Sequence, residues 1–284
     1  DVSLSQFSCQ ESYALINESI RGQDVYVLQT CTENVNSELM ELFVMMDALK
    51  RCSAASVNVL MPYFGYARQD KKSLPREPIS ARLIADLLEA VGIDRLVTVD
   101  FHSDQMQGFF SKPVDHLTAL PLFVDYFAKK KLPNLVIVSP DTGRAKVVKR
   151  LADTLGADLA IMHKTRPGHN KAEIVNIIGD VYGKTVLLMD DMVDTAGSIT
   201  AGLELLRDHG CNEDIYLAAT HPVFSGPAVQ RLADAGFKEV VVTDTIPLPF
   251  QKRFDGLTVL SIADLLGEVI QRNMTGRSIS SLFL

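Results

Sequence analysis

Short apolar runs, rich in β-branched residues, alternate along this chain with longer stretches whose apolar positions recur every three or four residues. Residues 25–29, 57–61, 96–100, 135–138, 185–189, 215–220, 240–243 and 259–261 have the first character. The second predicts a helix over residues 36–52, with Leu39, Leu42, Phe43 and Met46 on one face, and another over about residues 79–91. Met45 and Met46 beside Leu42 read as core packing. Strands that are apolar throughout, rather than at every second position, predict parallel sheets covered on both faces by helices. Such sheets take their ligands beyond the carboxyl ends of the strands. Function is therefore to be sought in the loops that follow those strands.

The chain has 284 residues, more than most single domains hold. Residues 112–121, with Pro113 and Pro121, fall between two complete strand–helix series. The expectation is two α/β domains, residues 1–116 and residues 117–284. A formal net charge of -7 argues against broad binding to nucleic acid or an anionic membrane surface. It leaves a small anionic substrate open, because a few basic residues in one cleft suffice. Cys9, Cys31, Cys52 and Cys211 are scattered with no C-x-x-C pair, which points to reduced thiols in the cytoplasm rather than a disulfide framework or thiolate zinc site. No apolar stretch approaches the roughly 18–20 residues needed to cross a bilayer. Residues 1–10 lack the basic start and apolar run of a signal peptide.

The strongest chemical signal is the strand Val186-Leu187-Leu188-Met189 running into Asp190-Asp191-Met192-Val193-Asp194-Thr195-Ala196-Gly197-Ser198. A helix starting near Ser198 offers N–H groups without intrahelical acceptors and the positive end of its dipole, so residues 194–198 suit a phosphate. Gly197 permits close backbone approach. Asp190 and Asp191 cannot hold the phosphate; they suit sugar hydroxyls, or waters on a Mg²⁺ ion, beside it. A plain helix cap also favours Asp, Thr and Ser, but it does not require two adjacent carboxylates after a fully apolar strand.

This segment resembles the phosphoribosyl-diphosphate loop shared by phosphoribosyltransferases and ribose-phosphate pyrophosphokinases. Four further stretches resemble the latter family. They are Tyr63-Phe64-Gly65-Tyr66-Ala67-Arg68-Gln69-Asp70-Lys71-Lys72, Val99-Asp100-Phe101-His102-Ser103-Asp104, Ser139-Pro140-Asp141-Thr142-Gly143 and His163-Lys164-Thr165-Arg166-Pro167. The likeness, closest to class I members, runs in order from Phe7 to Phe283. It implies two tandem phosphoribosyltransferase-like domains, each a mostly parallel sheet flanked by helices. It also implies transfer of the β,γ-diphosphate of Mg-ATP to the 1-hydroxyl of ribose 5-phosphate. By resemblance, Arg68 and Gln69 contact ATP, and Phe7 and Glu11 reach the adenine from a neighbouring subunit. His102 and Asp141 hold Mg²⁺ and the ATP phosphates, and Asp141, Thr142 and Gly143 form a diphosphate loop. Asp190, Asp191, Asp194, Thr195, Ala196, Gly197 and Ser198 hold ribose 5-phosphate, while Lys164 and Arg166 close over the reacting phosphates on a mobile loop. Arg21 with Ser278, Ser280 and Ser281 matches a regulatory anion site between subunits, implying a homo-oligomer, a hexamer in this family, with ADP and phosphate as effectors.

The physics of the implied reaction agrees with these residue types. Diphosphoryl transfer asks a protein for in-line positioning and charge neutralisation rather than covalent chemistry. Lys164 and Arg166, one residue apart, can supply that charge while a closing segment excludes water.

The sequence departs from the family at four places. Arg144 follows Gly143 where a second small residue is usual, either adding a phosphate contact or crowding the loop. Thr165 stands where another basic residue is common, and Cys9 where Asn or Asp usually helps hold the adenine. The family has a further strand and helix before the stretch matching Phe7, so an exposed sheet edge is expected. A phosphoribosyltransferase acting on a free base, and a catalytically inactive regulatory homologue, are the competing readings. The stretch from Arg68 to Lys72 and the pair Lys164/Arg166 argue against the first, and the presence of Lys164 and Arg166 without an insertion argues against the second. His116, His209 and His221 carry no assignable role, and Lys129, Lys130 and Lys131 read as the exposed basic end of a helix.

Overall fold

The computed structural model describes residues 1–168 and 171–282, with the side chains of residues 164–175 outside the described set. The chain divides into two compact units, Asp1–Thr118 with Gly267–Leu282, and Ala119–Leu266.

The first unit opens with a hairpin of β1 (Val2–Gln6) and β2 (Ser12–Ile16), paired antiparallel with Val2 opposite Ile16. Its four-stranded sheet contains β3 (Asp24–Leu28), β4 (Ser56–Leu60), β5 (Arg95–Val99) and β6 (Val114–Leu117), parallel and in sequence order. The helices α1 (Val35–Arg51) and α2 (Ser80–Ala90) make the crossovers β3→β4 and β4→β5. Leu39, Leu42, Met45, Met46 and Leu49 form the buried stripe of α1, and Phe43 of the predicted face is half-buried. β3 stands at the sheet edge, with Leu28 63% exposed. Residues 267–282 belong here too: Asn273 Nδ2 donates to Asp115 Oδ2 at 3.0 Å.

The second unit carries seven strands: β7 (Leu135–Ser139), β8 (Asp158–Gly168), β9 (Lys171–Ile178), β10 (Thr185–Val193), β11 (Ile215–Pro222), β12 (Glu239–Thr243) and β13 (Leu257–Leu260). Their spatial order is β13-β12-β11-β10-β7-β8-β9, all parallel except the β8–β9 hairpin. From β7 the chain winds outward to β8 and β9; from β10 it winds the other way to β11, β12 and β13. The direction reverses between β7 and β10, which lie side by side with Leu188 opposite Val138. In an open α/β sheet that reversal leaves a crevice beyond the strand ends. The helices are α3 (Leu120–Lys130), α4 (Ala145–Leu155), α5 (Gly197–Asp208), α6 (Ala228–Ala235) and α7 (Ala263–Thr275), the last continuing into the segment assigned to the first unit. β11 is buried along its whole length, as continuous apolar strands should be in a sheet covered on both faces.

Three features were not anticipated from the pattern. The β1–β2 hairpin is one: β1 is exposed along its length, while β2 alternates half-buried and exposed positions. β6 is only four residues long. The segment expected as a mobile loop around Lys164 and Arg166 is drawn as strand β8, with Lys164 opposite Ile174 and Thr165 opposite Glu173. A strand exposed along its whole length, as β1 is, leaves little trace in hydrophobicity.

Candidate active site

In the second unit, two loops leave the sheet at the crevice between β7 and β10. The loop after β7 begins at buried Ser139 and Pro140 and turns through Asp141, Thr142 and Gly143 into α4. Ser139 Oγ donates to the Asp141 carbonyl (2.7 Å), and the Arg144 N–H donates to Asp141 Oδ1 (3.1 Å). Asp141 thus caps its own turn, while Thr142 and Gly143 are exposed.

The loop after β10 is held from behind. Phe224 N–H donates to the Val193 carbonyl (3.0 Å), Ser225 N–H to the Asp194 carbonyl (3.0 Å) and Arg231 Nη1 to the Thr195 carbonyl (2.9 Å). Three successive carbonyl groups therefore face the segment leading into α6. The first-turn N–H groups of α5, which have no intrahelical acceptors, form the anion-facing side of the loop. Ala196 holds a left-handed conformation (φ 60°, ψ 0°) immediately before α5. For a residue with a Cβ this is an uncommon, strained geometry that persists when its surroundings over-determine it; Ala196 is 3% exposed. Gly197 has little room: a Cβ there would meet Arg231 Nη1 at 3.3 Å.

Asp190 folds back so that its Oδ1 accepts the Asp191 N–H (2.8 Å). Asp191 is buried, and Arg144 Nη2 lies 3.3 Å from its Oδ2. The Arg144 guanidinium, which the sequence left to crowd the loop or to add a phosphate contact, lies against Asp191. The carboxylates, the loop of residues 194–198 and the turn of residues 141–144 are all brought together here. Arg231, 36 residues along the chain from Thr195, had no local motif to mark it. Arg144 was at least flagged as a departure.

In the first unit, neighbouring β4 and β5 send out the two loops assigned to ATP. Val99 N–H donates to the Pro62 carbonyl (3.2 Å), joining the loops at their base. Above it, buried Phe64 and Phe101 pack edge to face at 5.5 Å, with Phe110 6.1 Å from Phe64. Arg68, Gln69 and His102 project from this aromatic base and are exposed. Ser80 Oγ donates to Gln69 Oε1 (2.6 Å), tying the loop to the start of α2. Phe101 N–H donates to His116 Nε2 (2.8 Å), so that nitrogen carries no proton and His116 braces the residue before His102. His221 is a satisfied core histidine, 1% exposed with Nδ1 3.0 Å from Thr245 Oγ1.

Phe7 and Glu11 are exposed on the hairpin tip, where Phe7 N–H donates to the Glu11 carbonyl (2.9 Å). Arg21 lies on the turn between β2 and β3. Ser278 and Ser281 are held by Arg272, whose Nη1 donates to the Ser278 carbonyl (2.7 Å) and to Ser281 Oγ (2.6 Å); Ser280 is exposed beside them. The side chains of Lys164 and Arg166 lie outside the described residues. Cys31 sits beneath the ATP-assigned loop, and burial pushes its thiol up to about 12, which makes it inert. Among the described residues no group of three or more His, Cys, Asp or Glu side chains is gathered as a metal cage, and no helix is long and apolar enough to cross a membrane.

The seven-stranded sheet, wound both ways from β7 and β10 with a helix start and an acid pair at the reversal, defines a doubly wound α/β protein. Comparison with known proteins narrows this. Residues 1–92 match the family described as the N-terminal domain of ribose phosphate pyrophosphokinase, and residues 167–284 match the phosphoribosyl synthetase-associated domain. The chain is 49% identical over 281 residues to ribose-phosphate pyrophosphokinase of Bacillus caldolyticus, covering 99% of this chain and 89% of that one. It is 50% identical to that of Caldanaerobacter subterraneus, covering 100% and 90%. The crystal structure of phosphoribosylpyrophosphate synthetase from Mycobacterium smegmatis superposes with a TM-score of 0.92 at 47% identity, covering 97% of this chain and 91% of that one. This chain belongs to the ribose-phosphate pyrophosphokinase family, and it is an enzyme of that class. Neither the phosphoribosyltransferase nor the inactive homologue gains support from these comparisons.

Proposed function

We propose that this enzyme transfers the β,γ-diphosphate of ATP to the 1-hydroxyl of ribose 5-phosphate, releasing AMP, with the two units dividing the substrates. The observation that carries this reading is the loop of residues 194–198, whose carbonyl groups are tied to the segment of residues 224–231 while the helix start of α5 faces outward beside Asp190 and Asp191. A sugar phosphate matches that arrangement: the phosphate accepts from the first-turn N–H groups, and the sugar hydroxyls donate to carboxylates that can only accept. Arg68 and Gln69 would bind ATP, with the Arg68 guanidinium lying flat against the adenine. Phe7 and Glu11 would reach that adenine from a second copy of the chain, within a homohexamer.

Mg²⁺ fits the donor set. It takes one or two carboxylates and completes its shell with water and substrate phosphates, so it needs no protein cage. By resemblance to the family, Asp141 and His102 would hold it. Bound there, the ion would neutralise charge on the triphosphate. Lys164 and Arg166 would stabilise charge growing on the transferred and leaving oxygens. Arg21, Ser278, Ser280 and Ser281 would receive ADP or phosphate as effectors. The scattered, unpaired cysteines favour the cytoplasm.

The test is AMP release from Mg-ATP with and without ribose 5-phosphate. Sugar-dependent AMP matched by phosphoribosyl diphosphate is the expected result. AMP formed at the same rate without the sugar, or none from folded protein, would overturn the reading.

A further inference from the structure

Arg144 bridges the two loops of the switch-point crevice. Its backbone N–H donates to Asp141 Oδ1 (3.1 Å), and its guanidinium lies 3.3 Å from Asp191 Oδ2. Both side chains are withdrawn from water, Arg144 to 14% exposure and Asp191 to 4%. Taking a carboxylate out of water is costly unless a cation and hydrogen bonds compensate it, and an uncompensated carboxylate becomes a neutral acid. Arginine is the side chain that cannot relieve such a pairing by losing its own proton. Next to it, Asp191 is an ionised group that accepts from hydroxyl donors. The same guanidinium repels any divalent cation approaching that carboxylate, because like charges at this range in a water-poor crevice are strongly unfavourable. The sequence left the acid pair open to sugar hydroxyls or to a hydrated metal ion; the position of Arg144 separates the two.

We propose that Arg144 is a positioning residue for ribose 5-phosphate: it holds Asp191 as an oriented acceptor for the sugar hydroxyls and keeps divalent metal off that carboxylate. The proposal rests on the assignment of ribose 5-phosphate to this loop. It predicts a division of labour in which the metal ion stays with the turn at Asp141 and the acid pair stays with the sugar.

The experiment compares wild-type enzyme with Arg144→Ala and Arg144→Lys. Initial rates give kcat and KM for each substrate, and calorimetry with ribose 5-phosphate alone in EDTA gives binding without metal or nucleotide. Manganese titration followed by electron paramagnetic resonance reads metal binding directly. In Arg144→Ala the KM and Kd for ribose 5-phosphate rise about tenfold, the scale of one oriented charged partner. KM for ATP and kcat stay within about threefold. Arg144→Lys recovers part of the affinity, because it restores the charge but not the planar fork. The alanine variant also gains a manganese site that wild type lacks. If Arg144→Ala does not fold, Arg144→Gln keeps the size without the charge and carries the same expectations. Unchanged ribose 5-phosphate binding would overturn the proposal, as would a fall in kcat with KM intact, which would put Arg144 on the reacting phosphates. Wild-type enzyme that fails to bind ribose 5-phosphate would instead sink the assignment of the loop itself.

Discussion

The two parallel sheets of this chain present their ligand loops in opposite ways. In the four-stranded sheet the strands follow sequence order, and Arg68, Gln69 and His102 stand exposed on loops pinned from beneath by Phe64 and Phe101. In the seven-stranded sheet the order reverses between β7 and β10, and there Asp191 is buried and paired with Arg144, while Thr142, Thr195 and Ser198 stay exposed. One site is rigid in its foundation and open at its face. The other is tied together by its own charged pair, Arg144 and Asp191. Pre-organised polar groups bind with less ordering cost, which suits a small sugar phosphate. A larger nucleotide can bring its own stacking area and metal ion to an open face.

Predictions that would break or sharpen this contrast begin with the largest effect. Lys164→Ala should lower kcat by about 10²–10³-fold, the scale of removing one donor aimed at developing charge, with KM values little changed. Steady-state kinetics check this, and an intact kcat would remove that segment from the chemistry. A crossed pair comes next. His102→Ala should raise KM for ATP about tenfold and spare ribose 5-phosphate, while Asp194→Asn should do the reverse. If both variants raised both KM values equally, the division of substrates between the sheets would be wrong.

Stability should show the same asymmetry. A Cβ on Gly65 would lie 2.7 Å from Val35 Cγ2 and 2.8 Å from Cys31 Sγ, so Gly65→Ala should cost about 1–3 kcal/mol by overpacking. Gly143→Ala meets only Asp141 Oδ1 at 3.2 Å, a side-chain atom able to shift, and denaturant unfolding should find it nearly neutral. A larger loss at Gly143 would reverse the picture of a tight foundation in one sheet and an open turn in the other.

The smallest effect concerns Glu239 at the start of β12. It accepts from Tyr126 (2.5 Å) and Thr258 (2.6 Å) and pairs with Lys130 at 2.8 Å. Burial opposes its ionisation, but the hydrogen bonds from Lys130, Thr258 and Tyr126 outweigh it and hold the carboxyl below its ordinary value of 4.5. A carboxyl lowered on folding contributes stability that is full above its unfolded pKa and is lost as pH falls through the folded value. Glu239→Gln should therefore destabilise by about 1–2 kcal/mol at neutral pH, with the difference from wild type shrinking below about pH 4.5. A pH-independent difference would assign the effect to packing. Lys130, expected as part of an exposed basic helix end, thus has a structural partner.

Much of this architecture is written in local pattern. The strands at residues 57–61, 96–100 and 185–189 and the apolar stripe of α1 were legible because continuous burial demands continuous apolar residues. The turn of residues 194–197 into α5 was legible because a helix start favours small and hydroxyl residues in one contiguous run. The hairpins β1–β2 and β8–β9 were not: β1 is exposed along its length, and in β8–β9 the core positions Ala160, Met162 and Ile177 are separated by less buried ones. Nor were Arg231 and His116, each placed by an element far along the chain.

The sequence by itself determined two parallel α/β sheets, the loops that carry chemistry and, through motifs in order, the family. Those properties depend on residues adjacent in the chain, where periodicity and backbone geometry are set locally. Only the tertiary structure decided that the winding reverses between β7 and β10, that Arg144 pairs with Asp191, and that Arg231 braces the Thr195 carbonyl. Those outcomes depend on which strands become neighbours and on where a buried charge finds its partner, and both are settled only when distant segments pack together.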